Sequence, residues 1–153
     1  MPDANHIVCP HCVATNRLPP ERDPLGAKCG ACHAPLFTGH PTDVDSAVLD
    51  RHLRGNDIPM LLDVWAPWCG PCRGMAPMFA RAAQLLEPDF RLLKLNADTA
   101  PEVTSRLGVR GIPALFLFHR GQIVARMEGA TDTNTIVAWA RRHATDATTV
   151  TGR

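Results

Sequence analysis

Excess charge of either sign is missing from this chain. Its 153 residues carry 16 Lys and Arg against 15 Asp and Glu. A formal net charge of +1 leaves no electrostatic footprint for nucleic acid or an anionic membrane surface. Long hydrophobic runs are missing too, since no window approaches the ~20 apolar residues of a membrane-spanning helix. The opening Met1-Pro2-Asp3-Ala4-Asn5-His6 has neither the basic end nor the apolar stretch of a secretory leader. There is no internal repeat and no low-complexity segment. A cytoplasmic chain acting as a monomer, with no nucleic-acid or membrane partner, is expected.

What is present is a globular composition. The hydrophobic fraction of 45% supports a packed core. The length suits one ordinary domain, or such a domain joined to a small metal-stapled unit. Six cysteines stand out. In a reducing compartment they serve as ligands or catalysts more readily than as structural disulfides.

Four of them form two pairs, Cys9-Pro10-His11-Cys12 and Cys29-Gly30-Ala31-Cys32, separated by 16 residues. That spacing fits a four-cysteine zinc site, in which each tight pair fills two corners of a tetrahedron about 2.3 Å from the metal. Pro10 and Gly30 suit the turns. The intervening Leu18-Pro19-Pro20-Glu21-Arg22-Asp23-Pro24 reads as loop with little apolar content, so a metal is expected to fold residues 5–37. A rubredoxin-like iron site and reversible disulfides are the rival readings. His6, His11 and His33 read as exposed bystanders.

The remaining two cysteines lie in Trp65-Ala66-Pro67-Trp68-Cys69-Gly70-Pro71-Cys72. An apolar run, Met60-Leu61-Leu62-Asp63-Val64, precedes this stretch and reads as a buried strand. A helical pattern follows, with apolar positions at Met75, Met78, Phe79, Ala82, Ala83 and Leu86. At a strand-to-helix junction the N–H groups of the first turn and the helix dipole favour the Cys69 thiolate, the only nucleophilic form. Cys72 is then placed to resolve a mixed disulfide. Asp63, a carboxylate inside an apolar strand, is expected to have a raised pKa suited to proton transfer. Its alternative role is a buried group neutralised by Lys94 on the neighbouring strand.

The residues Trp68-Cys69-Gly70-Pro71-Cys72 resemble the active-site signature of the thioredoxin family, and the resemblance spans roughly residues 44–145. Asp63 falls where that family keeps a buried carboxylate and Pro77 where it kinks the active-site helix. Ile112-Pro113 falls at its cis proline, and Gly129 at its groove glycine. With the cysteine pairs ahead of it, the chain is similar to the bacterial thioredoxin-2 type. The resemblance implies a protein-disulfide reductase acting on disulfide-containing clients. It implies recycling by a thioredoxin reductase with NADPH, and one structural zinc without a tightly bound organic cofactor. It further implies Asp63 as the base for Cys72, with Lys94 in support, and Pro113 leaving Ile112 free to pair with an extended client. Trp68, Gly70, Pro71, Ile112 and Gly129 would form the client groove. Ala114 stands where many members have threonine, and Val64 where phenylalanine is common.

The rest of the chain reads as an α/β domain. Asp45 is an expected N-cap for a helix ending at Gly55-Asn56, with His52 on its border. A strand is expected over Phe90–Asn96, then a helix near Pro101–Leu107 with Thr99 as its cap. An apolar strand over Ala114–Phe118 and an alternating run through Ile123, Ala125 and Met127 form a hairpin about Arg120-Gly121. Thr131 or Asp132 caps a last helix bearing Ile136, Val137, Trp139 and Ala140. That order gives a mixed sheet covered on both faces, the thioredoxin fold, behind a zinc-ribbon-like module. The expected units are a metal module over 1–40, a thioredoxin domain over 41–145 and a disordered tail over 146–153. Two other functions stay open at this point, a zinc-regulated redox sensor and an adaptor that targets a thioredoxin domain to one partner.

Overall fold

A computed structural model describes the backbone of residues 4–151 and the side chains of residues 4–144. Two strands, β1 (Asn5–Val8) and β2 (Thr15–Leu18), pair antiparallel ahead of the main domain. Next come β3 (Thr42–Val44), α1 (Ser46–Gly55), β4 (Met60–Trp65), α2 (Gly70–Leu86), β5 (Arg91–Asn96) and α3 (Pro101–Leu107). The hairpin β6 (Ala114–His119) and β7 (Gln122–Glu128) and the helix α4 (Thr133–Thr151) complete the chain.

The main sheet has the order β3-β5-β4-β6-β7, with β3, β5 and β4 parallel and β6 and β7 antiparallel. Alternation along β4 and β5 divides the core in two. Leu61, Leu92, Leu115 and Leu117 pack with Phe79, Ala82 and Leu86 of α2 and Ile136 and Ala140 of α4. Met60, Leu62, Val64, Leu93, Leu95 and Phe116 pack on the other side with Leu49 and Val103. Asp63 shares its parity with Leu61, so it faces the α2 side.

The caps follow the sequence in most places. The Asp45 carboxylate accepts from Val48 N at 2.8 Å, and the Asp132 carboxylate from Thr135 N at 2.8 Å. Thr99 does not cap α3. Its hydroxyl turns back to Asn96 O at 3.0 Å, and Ala100 holds the cap position without a side-chain bond. Pro77 lies inside α2 without ending it. The backbone of α4 runs to Thr151, past the point where the sequence pattern stops. Residues 152 and 153 of the expected tail lie outside the described residues.

The N-terminal module has more core than its composition suggested. Ile7, Leu18, Leu36 and Phe37 are buried together, and Ile58 of the main domain joins them. His52 is not on a border either. It is fully buried, because β1 packs on the C-terminal end of α1. A Cβ on Gly55 would stand 2.6 Å from Val8 Cγ2, so that approach demands glycine. Asn56 links the two units by accepting from Val8 N at 2.8 Å and donating to His52 Nδ1 at 2.8 Å.

Arg91 completes the junction. It opens β5, yet its guanidinium donates to Val8 O at 3.0 Å and Leu36 O at 2.8 Å. The same group pairs with Glu87 at 3.3 Å and lies over the Phe37 ring, 4.7 Å from its centroid. Glu87 in turn accepts from Gly39 N at 2.8 Å. Side-chain exposures of 1% for Arg91 and 2% for Glu87 make this a buried ion pair within the main domain, and both partners also bond to the backbone of the N-terminal module.

Candidate active site and metal centre

Cys69 is the N-cap of α2, and its sulfur accepts from Cys72 N at 3.2 Å. This places the leading sulfur on the N–H groups and positive dipole end of the helix, which stabilise a thiolate. The two sulfurs form a disulfide, so the structure holds the oxidised state. Both cysteines are nearly covered, at 5% and 3% exposure. Ala66 is buried with them, and Trp65 and Ile112 pack alongside.

An open groove of about 580 Å³ runs past Cys69 between Trp68, Gly70 and Pro71 on one side and Val109, Gly111 and Ile112 on the other. The carbonyl oxygen of Ile112 lies 3.8 Å from Cys69 Sγ, and the Ile112–Pro113 bond is cis. Gly129, at φ +95°, donates to Pro113 O at 2.9 Å from the end of β7. Trp68 is 68% exposed, and its indole N–H points to both oxygens of Asp98 at 3.1 Å. Sequence reasoning missed Asp98, because Asn96-Ala97-Asp98-Thr99 carries only a turn signal.

Asp63, on β4, is buried at 1% exposure, and its Oδ1 has no hydrogen-bond partner among the described residues. Burial pushes its carboxyl up to about 7, against a smaller opposing pull from Lys94. Lys94 is its register partner on β5, as expected, and its ammonium lies 4.9 Å from the Trp65 ring centroid. A buried carboxyl that titrates near neutrality can both hold and release a proton there.

The other four cysteines converge. Cys9 and Cys32 sulfurs lie 3.6 Å apart, as do those of Cys12 and Cys29, and all four fall within 4.8 Å of one another. A tetrahedron with ligands about 2.3 Å from its centre has edges of about 3.8 Å, so the four sulfurs fit one ion. The two knuckles repeat each other. Cys9 N donates to Ala14 O and Cys29 N to Ala34 O, both at 2.8 Å. Val13 N returns to Cys9 O at 3.1 Å, and His33 N to Cys29 O at 2.9 Å. The left-handed residues are Val13 at φ 68° and His33 at φ 66°, where the sequence pointed to Gly30. Further N–H groups steady the sulfurs, among them His11 N and Ala31 N at 3.3 Å and the Asn16 amide on Cys29 at 3.4 Å. His6 belongs to none of this; its ring pairs with Asp57 at 3.0 Å.

Comparison with known proteins matches both parts of the chain. A family model described as Thioredoxin covers residues 41–142, and one described as Thioredoxin 2, N-terminal, covers residues 8–34. Thioredoxin C-3 of Corynebacterium nephridii is 36% identical over 133 residues, spanning 87% of this chain and 91% of that protein. Thioredoxin 1 of a Nostoc species is 38% identical over 100 residues, 65% of this chain and 94% of the relative. Among solved structures, a single-substitution mutant of a thioredoxin from Halobacterium salinarum superposes with a TM-score of 0.64 at 29% identity. That match covers 71% of this chain and 94% of the other.

Proposed function

The chain belongs to the thioredoxin family and is a protein-disulfide oxidoreductase, and from that premise we propose that it is a general disulfide reductase working through Cys69 and Cys72. The observation that carries this reading is Cys69 at the N-cap of α2, disulfide-bonded to Cys72 on the wall of an open groove. In the reduced protein the Cys69 thiolate attacks one sulfur of a client disulfide. A Cys69–client bond forms, and the other client sulfur leaves as a thiolate that takes up a proton. Cys72 then attacks Cys69 Sγ, releases the second client thiolate and closes the Cys69–Cys72 disulfide. Two electrons pass from the dithiol to the client.

Cys72 is buried, so its proton needs a nearby acceptor. Asp63 takes that part, with Lys94 favouring its ionised form. Ile112 offers its carbonyl beside the reacting sulfur, Pro113 holds that backbone in place, and Trp68, Gly70, Pro71 and Gly129 shape the groove. The reducing equivalents come from NADPH through a thioredoxin reductase, as in the family generally, and disulfide-containing proteins are the clients. The cytoplasm is the compartment where this direction of transfer is useful. No helix among the described residues is long and apolar enough to cross a membrane.

Residues 1–40 form the second unit, a metal module set against a thioredoxin domain over 41–145. Zinc is the ion that four thiolates in tetrahedral array suit best. Cys9, Cys12, Cys29 and Cys32 would hold it, and a closed four-sulfur site supplies folding energy rather than a reacting position.

Cys72→Ser tests the attack. The reduced variant should accumulate a mixed disulfide with an oxidised protein client, mapped by mass spectrometry to Cys69. An adduct at any other cysteine, or none, overturns the assignment.

A further inference from the structure

One wall of the groove is the segment 108–112, between the end of α3 and the start of β6. Its far end is well fixed. Ala114 pairs with Glu128, and Gly129 N donates to Pro113 O at 2.9 Å. Its near end follows Gly108, a left-handed C-cap at φ 69°. Helix ends leave carbonyls without intrahelical partners. Here Arg126 of β7 reaches over, donating to Leu107 O at 3.1 Å and to Gly108 O at 2.9 Å.

Two further contacts aim that guanidinium. Phe116, its register partner on β6, lies beneath it with the ring centroid 4.9 Å from Cζ. Glu128 accepts from the same Nη2 at 3.4 Å. Arg126 thus ties the edge strand to the helix end from which the groove wall departs. Four residues further along that wall stands the Ile112 carbonyl, 3.8 Å from Cys69 Sγ.

We propose that Arg126 is a positioning residue for client binding: it fixes the 108–112 wall so that an extended client segment meets Ile112 in register with Cys69. The proposal rests on the reductase reading above. Arg126 touches neither the dithiol nor Asp63, so its loss weakens capture of a chain that must lie along the groove. It leaves intrinsic thiol chemistry alone. A small disulfide, which needs the dithiol but not the groove wall, is indifferent to it.

The test is single-turnover reduction by the pre-reduced protein, followed by tryptophan fluorescence, with insulin as protein disulfide and glutathione disulfide as small one. Arg126→Met keeps an apolar stem over Phe116 and removes the donors. It should raise the half-saturating insulin concentration about fivefold, the scale of two charge-assisted bonds at a half-exposed site. The limiting rate and the glutathione-disulfide rate should stay within about twofold of wild type. Arg126→Lys, which reaches one carbonyl, should recover part of the loss. Unchanged insulin saturation, or an equal fall with both disulfides, overturns the proposal. Wild-type protein that reduces neither disulfide overturns the reductase reading, and this proposal with it.

Discussion

Replacing Arg91 by methionine removes the cation that joins the metal module to the main domain from inside. Methionine fills much of the stem's volume, so the perturbation is chiefly the loss of charge and donors. Left behind is the Glu87 carboxylate, 2% exposed, together with the carbonyls of Val8 and Leu36. Breaking a buried ion pair by deleting one partner costs about 3–5 kcal/mol, because the remaining charge has no compensation. The two carbonyls add less than their separate values, since all three losses belong to one network. A total of about 4 kcal/mol is a large share of the ~5–15 kcal/mol that stabilises an ordinary domain.

Urea unfolding of the zinc-loaded protein reads this directly. The midpoint should fall by the equivalent of about 4 kcal/mol. Zinc transfer to a chelating indicator should accelerate, because Val8 and Leu36 belong to the module that the site staples. The double variant Arg91→Met with Glu87→Gln separates the causes. With no charge left buried it should regain most of the loss, while the introduced amide keeps an acceptor oxygen for Gly39 N. A loss below about 1 kcal/mol in the single variant, or a double variant no better than the single, would show that the buried Glu87 charge does not depend on Arg91.

Asp63 makes two further predictions of opposite sign. Its folded pKa of about 7 lies above the unfolded value, so the native state binds its proton more tightly. That contribution is complete below the unfolded pKa of ~4 and is lost as pH rises through 7, by at most about 4 kcal/mol. Asp63→Asn should therefore stabilise the protein at pH 8, with a much smaller gain at pH 4 measured by thermal unfolding; equal gains at both would contradict the burial argument. The same substitution should slow release of client from the Cys69 mixed disulfide by roughly 10–100-fold at pH 7, and should leave formation of that adduct nearly unchanged.

Much of the molecule was legible in the sequence because its signals are local. The spacing of the paired cysteines, the junction before Cys69 and the alternation of β7 are short-range patterns. The mixed sheet covered on both faces followed from them and from the family resemblance. What the sequence hid is long-range. Arg91 opens a strand and looks like a surface cation, yet its partners Leu36 and Val8 lie 55 and 83 residues away in the chain. His52 looked like a helix border because nothing nearby announces that β1 will cover it. Arg126 alternates outward on an edge strand, and only the fold brings it to the end of α3. Val13 and His33 take left-handed angles that their side chains disfavour, since the knuckle geometry around four sulfurs overrides local preference.

Passage of electrons from the dithiol at Cys69 and Cys72 to protein disulfides can be followed by coupling it to NADPH. The most direct measurement is NADPH oxidation in the presence of thioredoxin reductase and insulin, comparing zinc-loaded wild type with Cys69→Ser. Wild type should sustain turnover, and the variant should show none above background. Turnover that survives Cys69→Ser, or a wild type that stays oxidised while the reductase and NADPH are active, would contradict that route.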